Sequence, residues 1–223
     1  MLLASTVSWA SWALRSQSEP SPGWCGDRRR PPSQTWRTFL TNHVAALGSI
    51  DFFTVPTITG RILFVFVVLL HHRRRIVHFN VTEHPTAAWT AQQIVEASPD
   101  DTAPRWLVRD RDAIYGEAFR QRVAGMGIGE VLSGPSSPWQ NPYAERLIGS
   151  IRRECLDHVI IFNQTHLRQT LARYVSYYHG SWTHLSLATD APTSRPVQAP
   201  DDGRVIALPE VGGLHHRYER RAA

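Results

Sequence analysis

The chain has 223 residues, room for one good-sized domain with tails or for two small ones. Its hydrophobic share, 42%, is ordinary for a globular fold, and its longest apolar run, Ile62 to Leu70, is too short for a membrane-spanning helix, which needs about 20 residues. The net charge is +5, the isoelectric point lies near 9.8, and all 24 cationic side chains are arginine. GC-rich codon usage accounts for the missing lysine but leaves the charge standing. Arginine presents a planar fork that grips phosphate with two bonds, so the balance points to a nucleic-acid partner and away from a membrane. Two cysteines, Cys25 and Cys155, exclude a disulfide framework and have no metal-ligand spacing, which fits a reducing cytoplasm. The first residues, MLLASTVSWASWALRS, lack the basic start of a secretory signal, and Ser5, Thr6, Ser8 and Ser11 interrupt their apolar run.

Residues 1–35 read as an irregular segment or linker, because Ser16 to Ser33 is rich in Pro, Ser, Gly and Arg. A regular domain is expected over 36–183. Gly48 to Val55 is a buried strand ended by Pro56, and Arg61 to His71 and Arg74 to Val81 are two further strands, joined through short turns into an antiparallel meander. The period then changes. Pro85 to Ala97 is helical, Trp106 to Arg109 a short strand, Gly116 to Met126 a helix, and Ile128 to Leu132 a strand. A Pro-rich loop, Gly134 to Pro142, precedes two helices, Tyr143 to Leu156 and Gln164 to His179. That order implies an α/β fold: a mixed sheet with a three-strand antiparallel meander, two added parallel strands and flanking helices. Residues 184–223 read as a tail with one short β segment, Arg204 to Leu208, and a basic end, in which His215 and His216 have no zinc-ligand spacing.

Three carboxylates stand out. Asp51 interrupts an apolar strand, where a buried charge needs a partner, a metal or a turn to cap. Asp110 follows a short strand, and ligands collect at the carboxyl ends of strands in open α/β sheets. Asp112 competes with it but reads better as a turn or N-cap residue. Glu145 lies in the first turn of a helix, a place that the helix dipole alone favours. Taken together, three carboxylates offer an all-oxygen set of the kind that suits Mg²⁺ or Mn²⁺. Two such ions about 4 Å apart are the apparatus of phosphodiester chemistry.

The ordered set Asp51, Asp110 and Glu145, with 34 residues between the last two, resembles the Asp-Asp-Glu catalytic core of retroviral integrases and bacterial insertion-sequence transposases. The flanking words carry the resemblance too: SIDFFTVPT around Asp51, HHRRRIVHFNVTEHPTAAWTAQQ, PWQNPYAERLIGSIRRECLDH around Glu145, and YVSYYHGSWTH. Together they run from about Pro32 to about Arg195. The resemblance implies an RNase H-like fold, catalysis and metal binding by Asp51, Asp110 and Glu145, two Mg²⁺ or Mn²⁺ ions, and cleavage and strand transfer by direct attack of water or a 3′-hydroxyl. It further implies DNA as partner, a homo-oligomer, and a bacterial cytoplasm with the protein at the nucleoid. Two other readings stay open: an idle, truncated remnant that binds DNA without specificity, and a nuclease acting on RNA in hybrids.

Glu145, Gly149 and Arg152 share one helix face, so Arg152, with Arg146 and Arg153 beside it, is a candidate for DNA contact, or else a solvated surface. Gly149 is expected to leave room for close backbone approach. Asn141 is expected either to orient DNA or bound water, or to cap the Glu145 helix. Arg73, Arg74 and Arg75, with His71 and His72, form a basic turn read as solvent-exposed, and Trp89, Trp106 and Trp139 read as core or loop anchors, with Trp139 the candidate for contact. No helix-turn-helix is legible in residues 1–30, which suggests a truncated or frame-shifted copy that keeps the core without site-specific binding.

Overall fold

The computed structural model describes residues 35–99, 102–134 and 140–222. The expectations placed on residues 1–34 and on Trp139 lie outside them.

Helix α1, Trp36–His43, starts where the Thr35 hydroxyl accepts the Thr38 amide. Its Leu40, with Trp36 and Phe39, packs on Leu47 and Val108 at one end of the sheet. Strand β1, Leu47–Pro56, runs antiparallel to β2, Ile62–Leu70, which runs antiparallel to β3, Arg75–Thr82. Helix α2, Ala87–Ala97, is capped by the Thr86 hydroxyl and leads to the short strand β4, Trp106–Arg109. Helix α3, Glu117–Gly125, and strand β5, Gly129–Leu132, follow. The five strands form one sheet in the order β3-β2-β1-β4-β5, with β4 parallel to β1 and β5 parallel to β4. This is the mixed sheet that the order of elements implies.

Alternation along the strands sorts side chains to two faces. Phe53, Val55, Leu63, Val65 and Val67 go to one face, under α4, Pro142–Glu154, and α5, Gln164–Gly180. Ile50, Phe66 and Val68 go to the other, under α2 and α3. β2 therefore reads as a nearly unbroken apolar run, as a strand covered on both faces must. Trp89 packs beside Phe52 and Phe66, and Trp106 lies edge-on to Phe39, so both are anchors.

The C-terminal segment differs from the expected tail. Strand β6, Arg204–Glu210, pairs with β7, His215–Arg221, in an antiparallel hairpin. A two-stranded ribbon is marginal alone and needs something to lie on. His215 provides this: its Nε2 bonds the Glu154 carbonyl at 2.8 Å, and its ring stacks on Tyr177 at 4.4 Å. It is a docking residue, because it alternates inward in β7. His71 also departs from the exposed basic turn. It is buried, 2.6 Å from the Ser49 hydroxyl and stacked on Tyr143, and burial followed by the charge of Arg74 pushes its pKa down to about 4.

Candidate active site

The parallel register of β1 and β4 places the two aspartates. Ser49 pairs with Val108, and two residues further on come Asp51, still within β1, and Asp110, just past the end of β4, so both lie at one end of the sheet. β1 continues through Pro56, whereas β4 stops at Arg109, so Asp110 opens a loop at a strand's carboxyl end. Helix α4 covers one face of the sheet through Leu147, Ile148 and Ile151, and its first turn carries Glu145, which is exposed.

Asp51 is half-buried in mid-strand. Its Oδ1 accepts the Phe52 amide at 2.8 Å. Among the described residues neither Asp51, Asp110 nor Glu145 takes part in an ion pair. An arginine partner for Asp51, or a turn capped by it, is therefore not what the fold provides. Burial pushes its carboxyl up to about 7, with added effect from the charges of Glu145, Asp110 and Asp112. Asp51 thus feels the charge of the other three carboxylates across one end of the sheet. Among the described residues no three His, Cys, Asp or Glu side chains stand close enough to hold one ion between them. The donor chemistry fits a hard divalent cation, since the group nearest the core is a carboxylate with accumulated negative charge and no cationic partner.

Asp110 and Asp112 are bound into their loop differently. Asp110 Oδ1 accepts the Asp112 amide at 3.2 Å, and Asp112 Oδ1 accepts the Ile114 amide at 2.9 Å. The second bond closes a turn ahead of α3, the role expected of Asp112. Tyr115, three residues beyond it, is buried, with its hydroxyl unpartnered among the described residues. Burial, then the charges of Asp51 and Asp110, push its pKa well above the usual phenol value.

Two residues that support this end of the sheet differ from what the sequence predicts. Asn141 precedes α4, yet its side chain does not cap the helix. Its Nδ2 donates to the Ile50 carbonyl at 3.1 Å, and its Oδ1 is buried without a partner. Buried in this way, it ties the start of the Glu145 helix to the strand of Asp51 and does not face outward to DNA. Arg109 is a supporting residue that motif and spacing do not single out. Its guanidinium is buried, pairs with Glu130, donates from Nη1 to the Asp110 carbonyl at 2.8 Å, and lies over the rings of Tyr115 and Phe119. A charged residue at the end of a four-residue apolar strand is the signal that could have found it.

The basic face of α4 is divided. Arg152 is exposed, donates to the Thr54 carbonyl at 3.2 Å and lies 5.5 Å from the Phe53 ring centroid, beside β1. Arg153 folds back over its own helix. A Cβ at Gly149 would come 2.9 Å from its Nη1, so the room left by Gly149 is taken by Arg153. Arg146 is exposed on the turn that carries Glu145.

Residues 126–192, which include β5, α4 and α5, match the family model of the integrase core domain. That stretch, under a third of the chain, is similar to an integrase core domain. The sequence matches no curated protein. Among solved structures, the chain is similar to a chain of the simian T-cell lymphotropic virus intasome in complex with PP2A regulatory subunit B56 gamma. That match has 12% identity and a TM-score of 0.55, over 78% of this chain and 66% of that one. It is also similar to the Mos1 transposase catalytic domain with raltegravir and Mg, at 12% identity and a TM-score of 0.53, over 63% and 78%. The HTLV-2 integrase catalytic core domain in complex with magnesium matches at 9% identity and a TM-score of 0.51, over 67% and 94%. At these identities the likeness is one of fold, the RNase H-like sheet of integrase cores. This chain spans just under two thirds of the intasome chain.

Proposed function

We propose that this chain cuts and joins DNA during integration or transposition, with Asp51, Asp110 and Glu145 as its catalytic and metal-holding carboxylates. The observation that carries the reading is that adjacent parallel strands bring Asp51, within β1, and Asp110, just past the end of β4, to one end of the sheet, with Glu145 in the first turn of the helix that packs on β1. Asp51 and Asp110 would hold one divalent cation, and Glu145 would complete the set for two, Mg²⁺ or Mn²⁺. Magnesium accompanies the HTLV-2 and Mos1 structures. Bound there, the ions supply positive charge at the attacking and leaving oxygens of a phosphodiester. The chain's own part is positional. Asn141 fixes the Glu145 helix to β1, Arg109 holds the Asp110 carbonyl, and Arg152 offers a cation beside β1 to a DNA phosphate. Water, then a DNA 3′-hydroxyl, is the attacking group, and two DNA ends require at least two copies of the chain. The proposed setting is bacterial DNA in the cytoplasm.

The test is cleavage and strand transfer on labelled duplex DNA with Mg²⁺ or Mn²⁺. Asp51→Asn, Asp110→Asn and Glu145→Gln are each expected to lower the rate at least about 100-fold, the size of several kcal/mol of lost charge stabilisation. Asp112→Asn is expected to stay active. Activity that survives all three substitutions, or wild-type protein that binds duplex DNA without cutting it, overturns the reading. Preference for an RNA–DNA hybrid would reassign the chain to hybrid cleavage.

A further inference from the structure

Three arginines from separate parts of the chain meet at a cavity of about 270 Å³ beside the first turn of α4. Arg37 comes from α1, Arg74 from the turn between β2 and β3, and Arg146 from α4, with Tyr143, Leu40 and Pro142 filling the wall between them. Among the described residues no acidic side chain lines it. Among the described residues neither Arg37 nor Arg146 has a carboxylate partner. The guanidinium of Arg74 lies 4.9 Å from the Tyr143 ring centroid, and its Nε donates to Ser186 Oγ at 2.9 Å, which fixes its position and, among the described residues, leaves both Nη groups to spare.

The backbone is bent to make this arrangement. Arg73 and Arg74 both have positive φ, 51° and 55°, a conformation that side-chain-bearing residues adopt rarely and at a cost of order 1 kcal/mol. Arg73 holds the turn there by donating to Asp190, to the Ala191 carbonyl at 2.7 Å and to the Pro192 carbonyl at 2.9 Å. Arg74 is thereby aimed across Tyr143 toward the other two. Nearby, burial and then the charges of Arg74 and Arg146 push the pKa of His184 down to about 4, so it adds no charge of its own beside the arginines. Like charges brought to one cavity repel unless an anion sits between them. A tetrahedral phosphate, with oxygens for several guanidinium forks, is the anion that arginine fits best.

We propose that this cavity seats a backbone phosphate of bound DNA, apart from the phosphate that reacts at the carboxylates. The proposal rests on the reading of the chain as a DNA-processing core. Arg146 directly follows Glu145 in α4, so a strand gripped here is held by the helix that carries one of the proposed catalytic groups.

The test is fluorescence anisotropy of labelled duplex DNA with the full chain, across a salt series and without divalent metal. Arg37→Gln, Arg146→Gln and Arg74→Gly (glycine accepts the positive φ) are each expected to weaken binding about tenfold, as loss of a charge-assisted bond does. Each should also lower the slope of log affinity against log salt by about 0.9, the share of one neutralised phosphate. Arg37→Lys and Arg146→Lys should keep the slope, and Arg122→Gln on α3 should change nothing. Wild-type slopes in the Gln variants overturn the cavity assignment alone, whereas wild-type protein that binds no DNA overturns the reading beneath it. Inorganic phosphate that displaces DNA through Arg37 and Arg146, at levels too low to alter ionic strength, would make the ligand a free anion and overturn the DNA assignment.

Discussion

Asp51→Asn is expected to yield a protein that is more stable without metal and inactive with it. The folded carboxyl titrates near 7, against 3.8 for the unfolded chain. Between those values the folded state keeps a proton that the unfolded state has released, so stability falls as pH rises from about 4 to about 7 and stays low above it. Each pKa unit is worth about 1.4 kcal/mol, and because the side chain retains some contact with water we expect the deficit at pH 8 to be on the order of 2 kcal/mol. Asparagine has no charge to desolvate and should recover most of it. Urea unfolding in chelator, from pH 4 to pH 8, should show the two proteins diverging as pH rises, with the variant ahead. Adding Mg²⁺ or Mn²⁺ should then stabilise the wild type and leave the variant unmoved. Parallel pH profiles would show that Asp51 is not held in an unfavourable charged state. The combination separates a group retained for chemistry from one retained for the fold.

The second large effect is expected at Arg109. Replacing it with Met keeps much of the volume but strands the partly buried Glu130 carboxylate and removes the donor to the Asp110 carbonyl. Breaking one side of such a pair costs about 3–5 kcal/mol. Removing both charges together, in Arg109→Met with Glu130→Gln, should recover a good part of the stability. The catalytic rate should stay low in the double variant, because Asp110 would still lack its backbone anchor. Urea midpoints together with cleavage rates, taken at a temperature where every variant is folded, would check this. Full recovery of rate with stability would mean that Arg109 serves the fold alone.

Much of the sheet was legible because its strands are covered on both faces. Leu63 to Leu69 is too apolar a run to lie anywhere but inside, and Pro56 and the turn at Gly60 mark where the chain reverses. The shift from period two to period 3.6 after Thr82 marks α2, and the short strand Trp106–Arg109 lies at the bounds its residues predict. The hairpin at the C-terminus is less legible, although VGG between two alternating stretches is a turn signal. Its strands are polar on the outside and lean on only a few inward residues, such as His215, so their hydrophobic period is weak. At the candidate site, residue types were legible and directions were not. Nothing in the sequence distinguishes Arg152, which reaches β1, from Arg153, which lies back over Gly149, or tells that Asn141 bonds a strand instead of its own helix. Those outcomes depend on which side chain meets another element, and this is decided only when helix and sheet pack.

The separation of the three carboxylates in the fold has a thermodynamic consequence. Because no three of the described ligating side chains already surround a common point, whichever ligand arrives first must meet the cost of drawing Glu145 and the aspartates together. The second then finds them assembled. On the proposed reading, DNA and divalent metal are each other's effectors. The factor by which DNA tightens the metal must equal the factor by which metal tightens DNA. Free protein would therefore carry its ions less tightly than DNA-bound protein, and chemistry would be favoured where a DNA strand lies across the end of the sheet.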